Sequence, residues 1–320
     1  MTEEPESRIV ASVAPRPRKR DVNGWVILDK PVGMTSTHAV AVVKRLFRAR
    51  KAGHAGTLDP LASGVLPIAL GEATKTVPYV MDGRKAYAFT VKWGEETNTD
   101  DGEGHVTASS PARPGDDEIV ALLPRFTGSI LQVPPKFSAI KIDGERAYDR
   151  ARDGEDVELQ PRVVTIDELR LVRTTEDHAL FEAECGKGTY VRAIARDLGR
   201  DLGCYGHVAA LRRTMVGPFG LEHAVTLQQL EEAAAAAADG LPDAALQPVA
   251  SALRELPAIA VNRSDAARLA RGQSVLLRGH DIPPAGETVA VFCTGRLVAL
   301  ADVEAGELHP RRIFNPGQGR

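Results

Sequence analysis

The sequence predicts an α+β protein with two cores, a large one followed by a small β-rich one. Three observations carry this. Across residues 23–232, runs with strand-like alternation interleave with runs of helical spacing. Residues 233–248 shift to Ala, Asp, Gly and Pro, the mark of a helix end and a linker. Beyond 249 the chain returns to short strand-like runs around one brief helical pattern. A chain of 320 residues has room for both cores, since domains commonly run about 100–200 residues.

Taken in order, residues 1–22 mix Glu, Ser, Pro and Arg without periodicity and read as a disordered basic arm. Trp25 to Leu28 has the apolar run of a buried strand. Ser36 is then placed to cap a helix whose apolar positions Val40, Val43, Leu46 and Phe47 follow helical spacing. Lys85 to Trp93 alternates as a half-buried strand, and Asp117 to Phe126 reads as a helix. Residues 135–161 hold Lys136, Lys141, Arg146, Arg150 and Arg152 around a turn at Asp143-Gly144 and a short helix through Tyr148. Arg162 to Arg173 and Ala179 to Glu184 read as paired strands, and Tyr190 to Leu202 as an amphipathic helix. In the second unit, residues 249–320, Ser264 is placed to cap a helix ending at Arg271. Strands follow over Val275 to Leu277, Thr288 to Phe292 and Leu297 to Val303.

Hydrophobic content of 43% and charged content of 26% fit an ordinary water-soluble chain, so function has to come from patterns. The net charge of −3 hides a local excess: between Arg8 and Lys51 stand eleven Lys or Arg against Asp21 and Asp29. Such an excess suits a phosphate backbone, or equally a solvated tail beside one charged helix face. Cys185, Cys204 and Cys293 are widely spaced and show no paired pattern, which points away from a disulfide framework or a zinc site. There is no apolar run of about 18 residues and no secretory leader pattern, so the expectation is a cytoplasmic protein without a membrane partner.

The most informative stretch is Gly53-His54-Ala55-Gly56-Thr57-Leu58-Asp59-Pro60-Leu61-Ala62-Ser63-Gly64. Its glycines permit positive φ or close backbone approach, and Pro60 steers Asp59 away from helix. One carboxylate therefore stands on a stiff turn. Asp before Pro also initiates ordinary turns, so the loop alone leaves catalysis and turn chemistry open.

That loop, its continuation Val65 to Lys75, and three further segments resemble the TruB family of tRNA pseudouridine-55 synthases. The segments are Leu28-Asp29-Lys30-Pro31-Val32-Gly33-Met34-Thr35-Ser36, Lys187-Gly188-Thr189-Tyr190-Val191-Arg192 and Gly206-His207-Val208-Ala209-Ala210-Leu211-Arg212-Arg213. The resemblance covers residues 23–220. It implies a pseudouridine synthase fold with a mixed, largely antiparallel sheet flanked by helices, an RNA-gripping insertion at 135–161, and a small β-rich PUA-like C-terminal domain. By resemblance Asp59 is the catalytic carboxylate, Arg192 its guanidinium partner and Tyr87 the active-site tyrosine that stacks on uracil. Tyr190 and Leu211 line the uridine pocket, and His54 packs where the target base is withdrawn. Lys30 supports the signature loop or contacts phosphate. The implied partner is the T-arm of tRNA, met by a monomer that uses no cofactor and no metal.

Pseudouridine formation breaks the C1′–N1 bond, turns the detached uracil and joins C5 to C1′. It needs an ionised carboxylate, an enclosure and a proton acceptor. Two other expectations compete with an isomerase: a tRNA-binding and folding protein in which catalysis is secondary, and a hydrolase using Asp59 as nucleophile. A carboxylate placed against an anionic RNA favours the isomerase, because binding alone does not need one.

Overall fold

A computed structural model describes residues 18–138, 140–142, 145–146, 159–277 and 283–315. The described chain is built on a nine-stranded sheet. Its strands are β1 (Gly24–Lys30), β2 (Ala52–His54), β3 (Ala62–Leu70), β4 (Lys85–Trp93), β7 (Gly128–Gln132), β10 (Arg162–Thr174), β11 (His178–Cys185), β12 (Gly206–Val216) and β13 (Phe219–Gly220). The path runs β1-β3-β12-β4-β11-β10-β7, with β2 paired to β3 and β13 to β12. Every pairing in it is antiparallel except β3 with β12, so the sheet is mixed and largely antiparallel, as the resemblance implied. Two small hairpins stand outside it, β5 (Glu95–Thr97) with β6 (Val106–Ser109), and β8 (Lys141–Ile142) with β9 (Glu145–Arg146). The latter hairpin lies within the 135–161 insertion; the short helix expected through Tyr148 lies outside the described residues.

Helices α1 (Ser36–Leu46), α2 (Val77–Asp82), α3 (Asp116–Leu122), α4 (Val191–Asp201) and α5 (Leu227–Ala236) flank the sheet. α1 buries Ala39 and Val43, with Phe47 just beyond its end, in one core with β-strand residues Val26, Leu66 and Ile68. Its cap differs from the expectation. Thr35, not Ser36, accepts from the His38 amide, because the Ser36 hydroxyl is drawn inward to both the carbonyl and the amide of Leu58 at 2.9 Å. The helix expected to run to Phe126 ends at Leu122 and tightens into a 3₁₀ turn, since Pro124 supplies no amide to continue the α ladder. Two residues at the end of the expected arm belong to the fold: Arg20 forms a β-bridge with Ala49, and Val22 is buried in the main core. Part of the basic excess is spent there, with Arg20 paired to Asp243 and Arg50 to Asp21.

A second sheet, in the order β14-β16-β17-β18-β15, forms the small unit from β14 (Ala258–Ala260), β15 (Val275–Leu276), β16 (Thr288–Cys293), β17 (Arg296–Glu304) and β18 (Glu307–Ile313), with α6 (Arg263–Ala270). Asn262 rather than Ser264 caps α6, its side chain accepting from the Asp265 amide. This unit is docked on the larger one. Lys75 donates to the Ile313 carbonyl (2.7 Å) and lies over the Phe314 ring, and Glu72 accepts from the Asn315 amide (2.9 Å). Asn315 thereby shares a cleft with Arg20, Asp21, Asn23 and Lys51.

The parallel β3–β12 pairing sets the position of the signature loop, and Gly64 makes it possible. Its φ is 103°, and a Cβ there would stand 2.1 Å from the Arg213 carbonyl oxygen of β12. Gly64→Ala is therefore expected to lower stability by about 3 kcal/mol or more, from left-handed strain and backbone collision together; urea unfolding measures the difference.

Candidate active site

The loop between β2 and β3 carries Asp59 and has no secondary structure of its own, so its backbone is satisfied from beneath. Ser36 clasps Leu58. The fully buried Lys30 ammonium donates to the carbonyls of Pro31 and Met34 at 2.8 Å and more distantly to Pro60 at 3.5 Å. Arg213, buried on β12, donates to Gly56 (3.1 Å), Thr57 (3.2 Å) and Val65 (2.9 Å). The Gly33 amide closes the set on Pro60 at 2.7 Å.

Asp59 is thus fixed with its side chain 36% exposed, and its Oδ2 lies 3.0 Å from Nε of Arg192. Arg192 sits in the first turn of α4 and is itself only 7% exposed. Its Nη1 donates to the Thr99 carbonyl (3.0 Å) and lies 3.4 Å from Asp101, while Nη2 donates to the Phe137 carbonyl (2.9 Å). One turn on, Arg196 pairs with Asp100 at 3.0 Å; a further turn on, Arg200 grips Glu96 with two 2.7 Å bonds. Spacing of four residues puts the three arginines on one helix face, and the acids of segment 96–101 answer them rung by rung. Asp100 holds a left-handed φ of 61°, which turns its carboxylate inward. Burial pushes that carboxyl up to about 6, against the pull of Arg196 and Arg192.

Asp59 and Arg192 open onto a cavity of about 340 Å³ whose wall also includes Tyr87, Lys85, Tyr190, Leu211 and Arg213. Tyr87 projects from β4, where its cross-strand neighbour is Arg213. Burial raises its phenol pKa, opposed by the charge of Arg213 and a hydrogen bond from it. Tyr190, just before α4, is locked by the buried Gln132 of β7, which accepts from its amide (2.8 Å) and donates to its carbonyl (3.2 Å). Its phenol pKa is also raised by burial. Leu211 contributes an apolar patch from β12.

A scan of family models matches residues 44–191 to the TruB family pseudouridylate synthase N-terminal domain and residues 192–254 to the tRNA pseudouridylate synthase B C-terminal domain. The chain is 66% identical over 301 residues to the tRNA pseudouridine synthase B of Bradyrhizobium diazoefficiens, covering 93% of this chain and 87% of that protein. The chain belongs to the TruB family. The corresponding protein of Rhizobium meliloti is 58% identical, with 93% and 97% of the two chains covered. Among solved structures, a Cbf5-Nop10-Gar1 complex contains a similar chain with a TM-score of 0.73 at 28% identity, covering 92% of this chain and 85% of that one.

Within this TruB-family fold, five of the residues singled out by sequence meet at one cavity: Asp59, Tyr87, Tyr190, Arg192 and Leu211. Two stand apart from its wall. His54 ends β2 on the approach to the loop, opposite Ile68. Lys30 lies under the loop with no exposed surface for a phosphate, which leaves it the supporting role. Sequence reasoning did not single out Arg213, Lys85, Gln132 or the Glu96–Asp100–Asp101 acids. The Arg192-Arg196-Arg200 spacing was the available signal for the last group. Among the described residues there is no cluster of His, Cys, Asp and Glu that could hold a metal, and no helix long and apolar enough to cross a membrane.

Lys30 gives a pH signature. Burial lowers its pKa to about 8, partly offset by Asp59. Between pH 8 and about 10.4 the unfolded chain binds more protons at this residue than the folded one, so its contribution to stability rises with pH. The stability of the wild type relative to Lys30→Met is expected to grow by up to about 3 kcal/mol across that window, as read from urea titrations at both ends.

Proposed function

We propose that this protein isomerises the T-arm uridine of tRNA, position 55, to pseudouridine, with Asp59 as the catalytic carboxylate. The observation that carries this is the Asp59–Arg192 ion pair at the wall of a cavity lined by Tyr87, Tyr190 and Leu211. A fixed guanidinium holds the carboxylate beside it in one orientation when a substrate displaces water. Tyr87 offers a ring face for uracil and a phenol toward the sugar, while Leu211 and Tyr190 confine the base after it leaves C1′. The reaction is redox-neutral and moves no group to an external acceptor, so these side chains supply what it requires without a cofactor. The uridine has to leave its stack to reach the cavity, at a cost of a few kcal/mol, and His54 beside the loop is assigned to fill the space it vacates.

In this assignment residues 23–232 perform the chemistry, the 135–161 insertion grips the RNA, and the β-rich PUA-like unit from 249 onward extends the RNA contact. Lys44, Arg45 and Lys51, on α1 and just after it, have no carboxylate partner among the described residues and suit phosphate contact.

Incubating the protein with an unmodified tRNA transcript and mapping pseudouridine by chemical labelling tests the proposal. Conversion at the T-arm uridine alone is the expected result, and Asp59→Asn is expected to abolish it with little change in tRNA affinity; tight binding without conversion would instead leave a tRNA-folding role. Changing Lys44, Arg45 and Lys51 to Gln should flatten the salt dependence of tRNA binding, by about 0.7–0.9 in the log–log slope for each cation that contacts a phosphate.

A further inference from the structure

The cavity wall holds two buried cations that the Asp59–Arg192 pair leaves unexplained. Lys85, the first residue of β4, is 8% exposed and donates its ammonium to the carbonyls of Gly83 (2.6 Å) and Met81 at the end of α2. Arg213, 2% exposed, donates to three carbonyls of the signature loop and its flank and to the Tyr87 phenol. Neither has a carboxylate in ion-pair contact among the described residues. Asp82, on the same wall, is taken by Lys187 at 2.9 Å, and Asp59 by Arg192.

Carbonyl oxygens satisfy donors but do not cancel charge. Burial lowers the pKa of both side chains, the expected response of a cation removed from water without a counter-ion. Such a cost is retained where negative charge arrives during function, because a fixed cation in a water-poor site then acts at full strength. An ammonium has three protons, so two carbonyl bonds leave Lys85 one donor for a ligand in the cavity. Three of the five N–H groups of Arg213 are held by the carbonyls of Gly56, Thr57 and Val65, which makes it a fixed charge beside Tyr87.

We propose that Lys85, backed by the charge of Arg213, stabilises the negative charge that develops on the uracil during isomerisation. The inference rests on the reaction proposed above. When C1′–N1 breaks, its electron pair stays on the base and spreads from N1 to O2 and O4. When C5 joins C1′, the base supplies the electron pair of the new bond, the C5 proton passes to water and N1 takes one up from water, so product and substrate have the same composition and no oxidant or reductant takes part. Lys85 donates to the charged base between these events. Arg213 is a positioning residue, tying the Asp59 loop to Tyr87.

The test is single-turnover conversion of a tRNA transcript by the full chain. Lys85→Met is expected to slow it about 10²-fold, the usual effect of removing one donor to a developing anion, with tRNA affinity unchanged. Lys85→Arg, which keeps the charge and the carbonyl bonds, should recover most of the loss, and circular dichroism checks that both variants fold. A transcript with 5-fluorouridine at the target supplies a base that holds negative charge more readily. Disappearance of its N-glycoside should suffer less from Lys85→Met than that of uridine does. Equal losses on the two bases, or a loss that follows tRNA affinity, would show a merely structural lysine and overturn the inference. So would an undiminished rate in Lys85→Met while the wild type converts. A wild type that converts no uridine would instead overturn the reaction it rests on.

Discussion

The site depends on holding one carboxylate still in a loop without regular structure. A guanidinium can do this only if it is itself immobile. The Arg192 side chain meets that condition through the Thr99 and Phe137 carbonyls and Asp101, while its helix is braced by Arg196 on Asp100 and Arg200 on Glu96. The outermost pair, half-exposed on the Arg200 side, contributes little by itself. The inner ones are buried, where breaking a pair leaves an uncompensated charge and costs several kcal/mol. The ladder is thus graded, loose at the surface and stiff at the rung nearest Asp59.

A second support comes from below. Lys30, Ser36 and Arg213 lie on three different elements, β1, α1 and β12; Ser36 and Arg213 bond the backbone of the loop directly, and Lys30 reaches it at the Pro60 carbonyl, 3.5 Å away. The loop's shape is therefore set by tertiary contacts as much as by its glycines. Gly64 is where the two influences meet: only a residue without Cβ lets β3 lie against Arg213, and only then does Arg213 reach the carbonyls of Gly56 and Thr57.

Much of this was legible in the sequence. Alternation identified β4, β10 and β11 to within a residue or two, and motif resemblance singled out Asp59, Arg192, Tyr87, Tyr190 and Leu211, which line one cavity. What escaped has physical reasons. Arg213 and Lys85 act on backbone carbonyls, and a carbonyl has no sequence signature. Adjacent hydroxyl residues, Thr35 and Ser36, compete for the same cap, and the choice between them depends on Leu58, far along the chain. β18 was missed because Pro310 interrupts its pattern; the proline sits at a register shift against β17, where the ladder bond it cannot make is not required.

The docking of the small unit has a consequence for the topology of the whole chain. Because Glu72 and Lys75 hold Ile313 to Asn315, the last described residue stands in the same cleft as Arg20 to Asn23. The first and last stretches of the described chain are neighbours. A short peptide could join them, and new ends could be opened at an exposed turn elsewhere, giving a circularly permuted enzyme whose sheet order and catalytic loop stay as they are.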